Sequence, residues 1–295
     1  MSTTTVTAKD VAQLRARTGA GMMDCKRALE EAEGNMDLAG ELLRKKGIAK
    51  AEKRTDRQAS EGQIALIVAP DGQSGSLVEV NSETDFVGRN DEFVAFSKAV
   101  AEHVALDDNV NGVVHVGAEG QLLAATWQHE GNRTVGEVVK GISAKTGENV
   151  VLRRVARFAT DGVIGTYLHH NGRVAVMVEV GGGRGPAVEQ LGKVVAEHIA
   201  AGVPAVPVSV DRSGVSTEIV DRERRIFTEQ AAQSGKPANI VEKMVEGRIA
   251  KFFGEVVLLE QPWVRDDSKT IGQLVTEAGA GVTIRRFARF QMGEA

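Results

Sequence analysis

The sequence predicts an α+β fold built from two related subdomains, and three observations support this prediction. Residues 61–81 align without a gap to residues 161–181, and each copy has the pattern of two strands joined by a tight turn. A segment with helical periodicity follows each hairpin. Each copy then ends in a helix and a strand carrying Arg-Arg-x-Ala-Arg-Phe, within 134–158 and 270–290. We therefore expect two antiparallel sheets of roughly three strands each, packed against helices.

The hairpins of the two copies share their turn chemistry. Gly72 of the first copy recurs as Gly172 of the second, and Val-Glu-Val at 78–80 recurs at 178–180. Asn171-Gly172 is a strong signal for a hairpin turn, because both residue types tolerate positive φ. The two copies are therefore aligned at an offset of 100 residues.

The helix after each hairpin has the same apolar pattern in both copies. Apolar residues recur at helical spacing at Phe93, Phe96, Val100 and Val104, and at Val188, Leu191, Val195 and Ile199. Ala-Glu-His is repeated within these helices, at 101–103 and 196–198, at an offset of 95 residues. The first copy therefore carries five extra residues between hairpin and helix, and they fall in the stretch NSETDFVGRN.

This stretch contains the first candidate for a functional site. Thr84, Asp85, Phe86 and Val87 stand where the second copy has GGGRGP at 181–186. Because the second copy has no counterpart of Asp85 and Phe86, the fold itself does not require them. Two interpretations of Phe86 are open: it contacts another molecule, or it packs back over its own helix.

The rest of the chain divides into an N-terminal module, a linker and an insertion. The predicted boundaries are 1–47 for the module, 48–60 for a basic linker, 61–158 and 159–295 for the two subdomains, and about 206–258 for an insertion in the second. The module has three helical patterns, at about 8–17, 22–33 and 37–46. The insertion has two, separated by Gly235-Lys236-Pro237. Such a helical hairpin either folds back onto the core or pairs with a second copy in a homodimer.

Two neighbouring methionines open the second helix of the module. Met22 and Met23 are adjacent, so they cannot both easily face the same side of one helix. Methionine also suits adaptable apolar contact surfaces. Two interpretations are open here as well: one methionine contacts a partner, or both belong to the module core.

Composition and charge exclude several classes of protein. The net charge of −4 gives no overall basic excess with which to bind nucleic acid. A single cysteine, Cys25, excludes an internal disulfide framework and a cysteine-rich zinc site. The N-terminus lacks the basic and apolar regions of a signal peptide, and no apolar run approaches the ~20 residues of a membrane span. We expect a cytoplasmic protein.

No pattern in the sequence indicates an active site. The glycine-rich stretches lack the Gly-Lys-Ser/Thr of a phosphate loop, so direct nucleotide binding is not expected. His169 and His170 are adjacent in a predicted turn, without a cysteine or carboxylate at metal-ligand spacing. The arginines repeated within 153–157 and 285–289 indicate structural ion pairs or a solvated strand face. We expect a binding protein with no catalytic residue, no metal site and no cofactor, and not an enzyme.

Three long motifs resemble those of the bacterial translation elongation factor Ts family. They are LRARTGAGMMDCKRALEEAEGNMDLAGELLRKKG at 14–47, VNSETDFVGRN at 80–90 and QSGKPANIVEKMVEGRIAKFFGEVVLLEQPWV at 233–264. The resemblance covers nearly the whole chain in order. It implies a guanine-nucleotide exchange factor that binds elongation factor Tu·GDP and promotes GDP release. It also implies a ubiquitin-associated-like N-terminal module and a dimerising or projecting coiled-coil insertion.

The resemblance further implies which residues contact elongation factor Tu. Phe86 is the implied wedge into the GTPase domain, with Asp85 beside it. The other implied contacts are Thr84 and Val87 in support, Leu14, Met22 and Met23 on a helix of the GTPase domain, and His169 and His170 on the distal domain. Some members of the family continue into a C-terminal helical module, and that contact is expected to be missing here.

Two other functions are compatible with parts of the sequence. A ubiquitin-associated-type module could bind a peptide through Met22 and Met23, which would leave Asp85 and Phe86 without a role. The basic stretch 44–57 could bind RNA, which predicts a steep dependence of affinity on salt. That stretch has no interleaved aromatic residues for base stacking, and the negative net charge of the chain favours a solvated linker.

Overall fold

The computed structural model describes residues 6–117, 120–233 and 237–294, and its backbone confirms the predicted α+β class. Its helices are α1 Ala8–Thr18, α2 Met22–Glu31, α3 Met36–Glu52, α4 Asp85–Gly88, α5 Asp91–Ala105, α6 Gln121–Ala124, α7 Val135–Thr146, α8 Pro186–Ala201, α9 Thr217–Ala232, α10 Ala238–Val256 and α11 Ile271–Ala278. Its strands are β1 Glu61–Val68, β2 Ser74–Ser82, β3 Gly112–His115, β4 Val151–Ala159, β5 Val163–Leu168, β6 Val174–Gly181, β7 Pro262–Trp263, β8 Asp266–Thr270 and β9 Thr283–Gln291.

The two sequence copies form two equivalent antiparallel sheets. The first has the order β1-β2-β4-β3 and the second the order β5-β6-β9. The strand register shifts at the same place in both, between Glu79 and Val80 and between Glu179 and Val180. The first lobe differs from the expected three strands because β3 adds a fourth strand at the edge beside β4. The short β7-β8 hairpin was not predicted either.

The sheets pack on each other through one face and on helices through the other. Successive strand residues point to opposite faces, so Leu77 lies between the sheets while Val78 faces α5. The residues between the sheets are Ile64, Leu77, Ala156 and Phe158, matched in the second lobe by Ile164, Met177, Ala288 and Phe290. The central core is therefore shared by equivalent residues of the two lobes.

Two of the repeated arginines, Arg154 and Arg286, form ion pairs with buried glutamates, as one of the two interpretations expected. Arg154 donates from Nε to Glu79 (2.6 Å), and Arg286 donates from Nε to Glu179 (2.6 Å). Each guanidinium also lies over a phenylalanine of the other lobe, Arg154 at 4.4 Å from the Phe290 ring centroid. The equivalent distance from Arg286 to Phe158 is 4.3 Å. Each of the two arginines therefore pairs with a glutamate of its own lobe and contacts a phenylalanine of the other lobe.

The histidines of the repeated Ala-Glu-His are buried structural residues. The backbone N–H of Gln128 donates to Nδ1 of His103 (3.4 Å), and that of Val264 donates to Nδ1 of His198 (3.3 Å). Burial lowers the pKa of both imidazoles, and the hydrogen bond of His198 to Gln261 partly opposes this. Both rings thus tie the helix after the hairpin to the segment that precedes the last helix of their lobe.

The N-terminal module is a three-helix bundle that is fixed to the first lobe. Helix α3 runs to Glu52 instead of ending near residue 46, so the predicted linker 48–60 begins as helix. Its last turns pack on α7, where a Cβ added at Gly47 would lie 3.0 Å from the Ala144 side chain. Lys140 of α7 forms an ion pair with Glu52 (2.7 Å). The small residue at position 47 allows this close helix approach.

The insertion is a helical hairpin with its own small core. Helices α9 and α10 bury Ala231, Val245 and Ile249 against one another. Phe253 packs on this cluster, whereas the adjacent Phe252 does not belong to it. Of the break at Gly235-Lys236-Pro237, Gly235 and Lys236 lie outside the described residues. Within the described ranges, no helix combines the length and apolar character needed to cross a membrane.

Candidate functional site

The candidate stretch forms a single helical turn between β2 and α5. Thr84 occupies the N-cap of α4, and its hydroxyl accepts a hydrogen bond from the Val87 N–H (3.4 Å). Asn90 then caps α5, where its side chain accepts from the N–H groups of Glu92 and Phe93. Threonine and asparagine are favoured at such positions because their side chains satisfy N–H groups that the helix leaves unpaired. The local sequence therefore specifies two helix starts in close succession.

Phe86 projects from this turn into solvent. Its side chain is 84% exposed, while Val87 beside it packs against the core of the first lobe. The interpretation that Phe86 packs back over its own helix is therefore wrong. Among the large apolar side chains of the described residues, Phe86 is the most exposed. The turn is anchored by Val87 and presents Phe86.

Glycines allow the turn to lie directly on strand β1. Gly88 is buried, and a Cβ at this position would lie 2.7 Å from the carbonyl oxygen of Gly62. Gly62 itself has φ of +134°, a conformation that residues with a side chain rarely adopt. Backbone-to-backbone contact therefore sets the distance between the turn and the sheet.

Four polar residues, Glu83, Thr84, Glu148 and Asn149, connect the turn to the segment that follows α7, and we call them the Glu148 clasp. The Glu148 carboxylate accepts hydrogen bonds from the N–H groups of Glu83 and Thr84 (3.0 Å each) and from the Thr84 hydroxyl (2.6 Å). In the opposite direction, the Asn149 N–H donates to the Glu83 carboxylate (2.6 Å). The clasp therefore joins two segments that are far apart in the sequence.

Asp85 lies among charged groups that link the turn to the hairpin of the second lobe. Its carboxylate forms an ion pair with Arg89 (3.0 Å). The pKa of Arg173 is raised, first by its hydrogen bond to Glu61, against the effect of burial, and with a smaller attraction from Asp85. Arg173 immediately follows the turn that holds His169 and His170. Two of the predicted contact regions, the α4 turn and this hairpin turn, are therefore neighbours.

The histidine turn rests on the edge of the first sheet. The Ile64 N–H of β1 donates to the Gly172 carbonyl oxygen (3.2 Å). Nδ1 of His169 lies 3.0 Å from the Asn171 amide oxygen, and the rings of His169 and His170 are 4.2 Å apart. His170 is exposed and His169 is half-buried. His170 is thus the more accessible of the two for a partner.

The predicted contact residues of the N-terminal module divide into exposed and buried ones. Met22 is 56% exposed and Met23 63% exposed, so neither belongs to the module core. Leu14, in contrast, is completely buried among the helices. A direct contact of Leu14 with a partner does not fit this position, because its side chain is packed inside the bundle. Leu38, which the sequence did not single out, is exposed instead.

The sequence also did not single out Arg89 and Glu148. The sequence did contain a signal for Glu148. When the C-terminal helix and strand of the two copies are aligned on their shared Arg-Arg-x-Ala-Arg-Phe, Glu148-Asn149 lies opposite Ala280-Gly281, so the carboxylate is present in one copy only. Within the described parts of the chain, no cluster of three or more histidine, cysteine or carboxylate side chains could hold a metal ion. The arrangement supplies an exposed aromatic ring, nearby charges and a fixed backbone.

These features define a two-lobed α+β protein with a three-helix N-terminal module and an exposed aromatic residue on a hydrogen-bonded turn. The sequence model of the family described as Elongation factor TS matches residues 83–294. The chain is 47% identical to elongation factor Ts of Methylococcus capsulatus over 290 residues, which is 98% of this chain and 92% of the relative.

Other relatives agree with this match. The chain is 42% identical over 295 residues to elongation factor Ts of Clostridium botulinum, covering 98% of this chain and 93% of that protein. It is 40% identical over 290 residues to that of Aquifex aeolicus, covering 98% of each chain. The chain therefore belongs to the elongation factor Ts family, as the resemblance indicated, and its role lies in translation elongation.

Proposed function

We propose that this protein is a guanine-nucleotide exchange factor that binds elongation factor Tu·GDP and promotes release of GDP, in the bacterial cytoplasm. In this role it makes and breaks no covalent bond, holds no cofactor and does not itself bind the nucleotide. The single observation that carries the proposal is Phe86, bare to solvent on a turn that the rest of the lobe holds in place.

An exchange factor acts through differential binding. If it binds the nucleotide-free GTPase more tightly than the GDP-bound form, linkage requires that it weakens GDP binding by the same factor. Burial of a phenylalanine side chain in a partner contributes ~1.5–3 kcal/mol. This amount corresponds to roughly a tenfold to hundredfold change in an equilibrium constant. Phe86 alone could thus supply a substantial part of the coupling.

Asp85 supports this role through its charge. Its side chain is partly exposed next to Phe86, and Arg89 is its close partner. When Phe86 enters a pocket, the Asp85 carboxylate is carried with it. A negative charge brought close to a bound magnesium ion and phosphates perturbs their mutual attraction. Thr84 and Val87 support the turn, because Thr84 caps the turn and Val87 packs it against the core.

The remaining predicted contacts would supply affinity at other points. Met22 and Met23 offer an exposed, adaptable apolar surface on α2. His169 and His170 offer polar rings on the hairpin turn of the second lobe. Distributed contacts of this kind would keep the complex together while GDP leaves. A homodimer through the α9–α10 hairpin remains a further proposal.

The test is stopped-flow release of fluorescent GDP from elongation factor Tu, with the intact protein and with its Phe86→Ala variant. We expect the intact protein to accelerate release and the variant to be slower by tenfold or more, as the lost burial predicts. A matched control is Leu106→Ala, because Leu106 is also a large exposed apolar residue of the first lobe. The control is expected to leave the rate unchanged.

Different results would separate the parts of the proposal. No acceleration by the intact protein would refute the exchange function. Acceleration by both proteins would keep that function but remove Phe86 from its mechanism, with Asp85 and the N-terminal module as the next residues to test. Capture of peptides without elongation factor Tu would favour the peptide-binding alternative, and salt-sensitive RNA binding would favour the RNA alternative.

A further inference from the structure

We infer that Glu148 is a positioning residue for Phe86: its carboxylate holds the α4 turn in the conformation that presents the ring. The structural part of this inference concerns the free protein. Its kinetic part rests on the proposed exchange function.

The contacts of Glu148 are those that the short helix needs. A single helical turn fixes several backbone dihedrals for very few hydrogen bonds, so it is unfavourable in isolation. The N–H of its N-cap residue Thr84 also has no partner within the helix. One carboxylate accepts the N–H groups of Glu83 and Thr84 and the Thr84 hydroxyl together. Hydrogen bonds to a charged acceptor are stronger than neutral ones.

The acceptor itself is fixed in place. Gly147 ends α7 with φ of +77°, which turns the chain back toward the α4 turn. The Ser143 hydroxyl donates to the Glu148 carbonyl oxygen (2.5 Å). Next to it, the Asn149 side chain donates to the carbonyl oxygens of Thr55 (3.3 Å) and Arg57 (2.7 Å). Glu148 therefore connects the α4 turn to a segment whose own position is fixed by hydrogen bonds to the rest of the lobe.

The second lobe shows that the fold does not require this carboxylate. Ala280 and Gly281 occupy the places of Glu148 and Asn149. There the two loops touch through their backbones, and a Cβ at Gly182 would lie only 1.8 Å from the Gly281 carbonyl oxygen. The lobe without an aromatic turn thus lacks the clasp as well. The carboxylate accompanies the projecting turn, and no common feature of both lobes explains it.

Positioning matters because Phe86 has little packing of its own. Nothing except the turn determines the direction in which an 84% exposed side chain projects. If the turn were loose, only the fraction of molecules with the correct conformation could bind. The apparent affinity would fall in proportion to that fraction. A braced turn avoids this loss.

The first experiment measures hydrogen–deuterium exchange of the free, full-length protein at residues 83–90. We expect Glu148→Ala to increase exchange there by about tenfold, which corresponds to ~1.4 kcal/mol of local opening free energy. Glu137→Ala is the matched control, because Glu137 accepts the Thr134 N–H at the other end of α7 (3.0 Å) and does not touch the turn. Unchanged exchange at 83–90 in Glu148→Ala would overturn the inference.

The second experiment measures GDP release with Glu148→Ala in two backgrounds. In the intact protein we expect a loss of about tenfold at subsaturating concentration. In the Phe86→Ala background we expect less than about twofold, because a residue that acts through Phe86 has little left to position. Glu148→Gln should restore most of the rate, since its amide oxygen can still accept the backbone N–H groups.

The outcomes are distinguishable from those of the proposed function. Equal losses in both backgrounds would show that Glu148 acts independently of Phe86 and would overturn the inference while leaving exchange intact. A loss of the same size in Glu137→Ala would attribute the effect to general stability and would also overturn it. Absence of exchange activity in the intact protein would refute the proposed function, and the hydrogen–deuterium result would then decide the structural part alone.

Discussion

At the scale of single residues, the apolar side chains of the N-terminal module divide between a core and a contact surface. Leu14 of α1 is packed inside the three-helix bundle, whereas Met22 and Met23 at the start of α2 face solvent. Family resemblance alone does not separate these roles, because both kinds of residue belong to the same motif. Burial separates them, and it predicts different consequences for their substitution.

We therefore expect Leu14→Ala to lower the free energy of unfolding of the module by ~2–5 kcal/mol, the usual range for truncation of a buried leucine. Met22→Ala and Met23→Ala are expected to stay within about 0.5 kcal/mol of the unchanged protein, because exposed residues contribute little to stability. Urea unfolding followed by circular dichroism, together with amide exchange in α1–α3, measures both effects. Equal destabilisation by all three substitutions would contradict this division.

The candidate site shows how far single residues could be predicted. The internal comparison predicted a special role for Phe86, because the second lobe folds without it, and the structure places its ring in solvent. Glu148 could not be assigned from local sequence, because its contact with Thr84 joins residues 64 positions apart. Leu14 shows a different limit: the resemblance places Leu14, Met22 and Met23 in one motif, and only the structure shows that Leu14 is buried whereas the methionines are exposed.

At the scale of elements, periodicity predicted the principal helices and hairpins but not their ends or their edges. Helix α3 was expected to end near residue 46, yet Gly47 does not break it, because the glycine lets α3 approach Ala144 closely. Strand β3 was missed because four residues at a sheet edge carry no clear alternation. Tertiary packing decided both cases.

The α9–α10 hairpin is the element that is most independent of the lobes. Its buried residues form a separate cluster. Replacing residues 219–252 by a short Gly-Ser linker is therefore expected to change the melting temperature of the lobes by only a few degrees. Any self-association of the intact protein through the hairpin is expected to disappear. Scanning calorimetry and sedimentation velocity measure these two results. Loss of lobe folding, or a dimer that persists in the shortened protein, would contradict them.

At the scale of the whole molecule, the sequence repeat predicted two equivalent lobes but not how they meet. The shared core between the sheets and the crossing of Arg154 to Phe290 and Arg286 to Phe158 follow from side chains that the two copies have in common. The sequence could not decide between a solvated arginine face and structural ion pairs, because an alternating strand with arginines fits both. The packing of a second sheet on that face decides it.

The two equivalent ion pairs predict unequal sensitivity to substitution. Glu79 is completely buried, and Arg154 is its charged partner, with a side chain 9% exposed. Glu179 has Arg285 (3.2 Å) in addition to Arg286. We expect Arg154→Met to lower the free energy of unfolding by ~3–5 kcal/mol, because it leaves a buried charge unpaired. Arg286→Met is expected to cost only ~1–2 kcal/mol, because Glu179 keeps one partner.

The double variant Glu79→Gln/Arg154→Met tests the cause of the larger effect. This variant removes both charges. The amide oxygen of the glutamine introduced at position 79 can still accept the hydrogen bond that Asn81 donates to Glu79 (3.1 Å). We expect the double variant to be more stable than Arg154→Met, because replacing a whole buried pair costs much less than breaking it.

Because the lobes share one core, each variant should shift a single calorimetric transition. Equal losses for Arg154→Met and Arg286→Met would contradict the role of the second arginine, and a separate low-temperature transition would show that the lobes unfold independently.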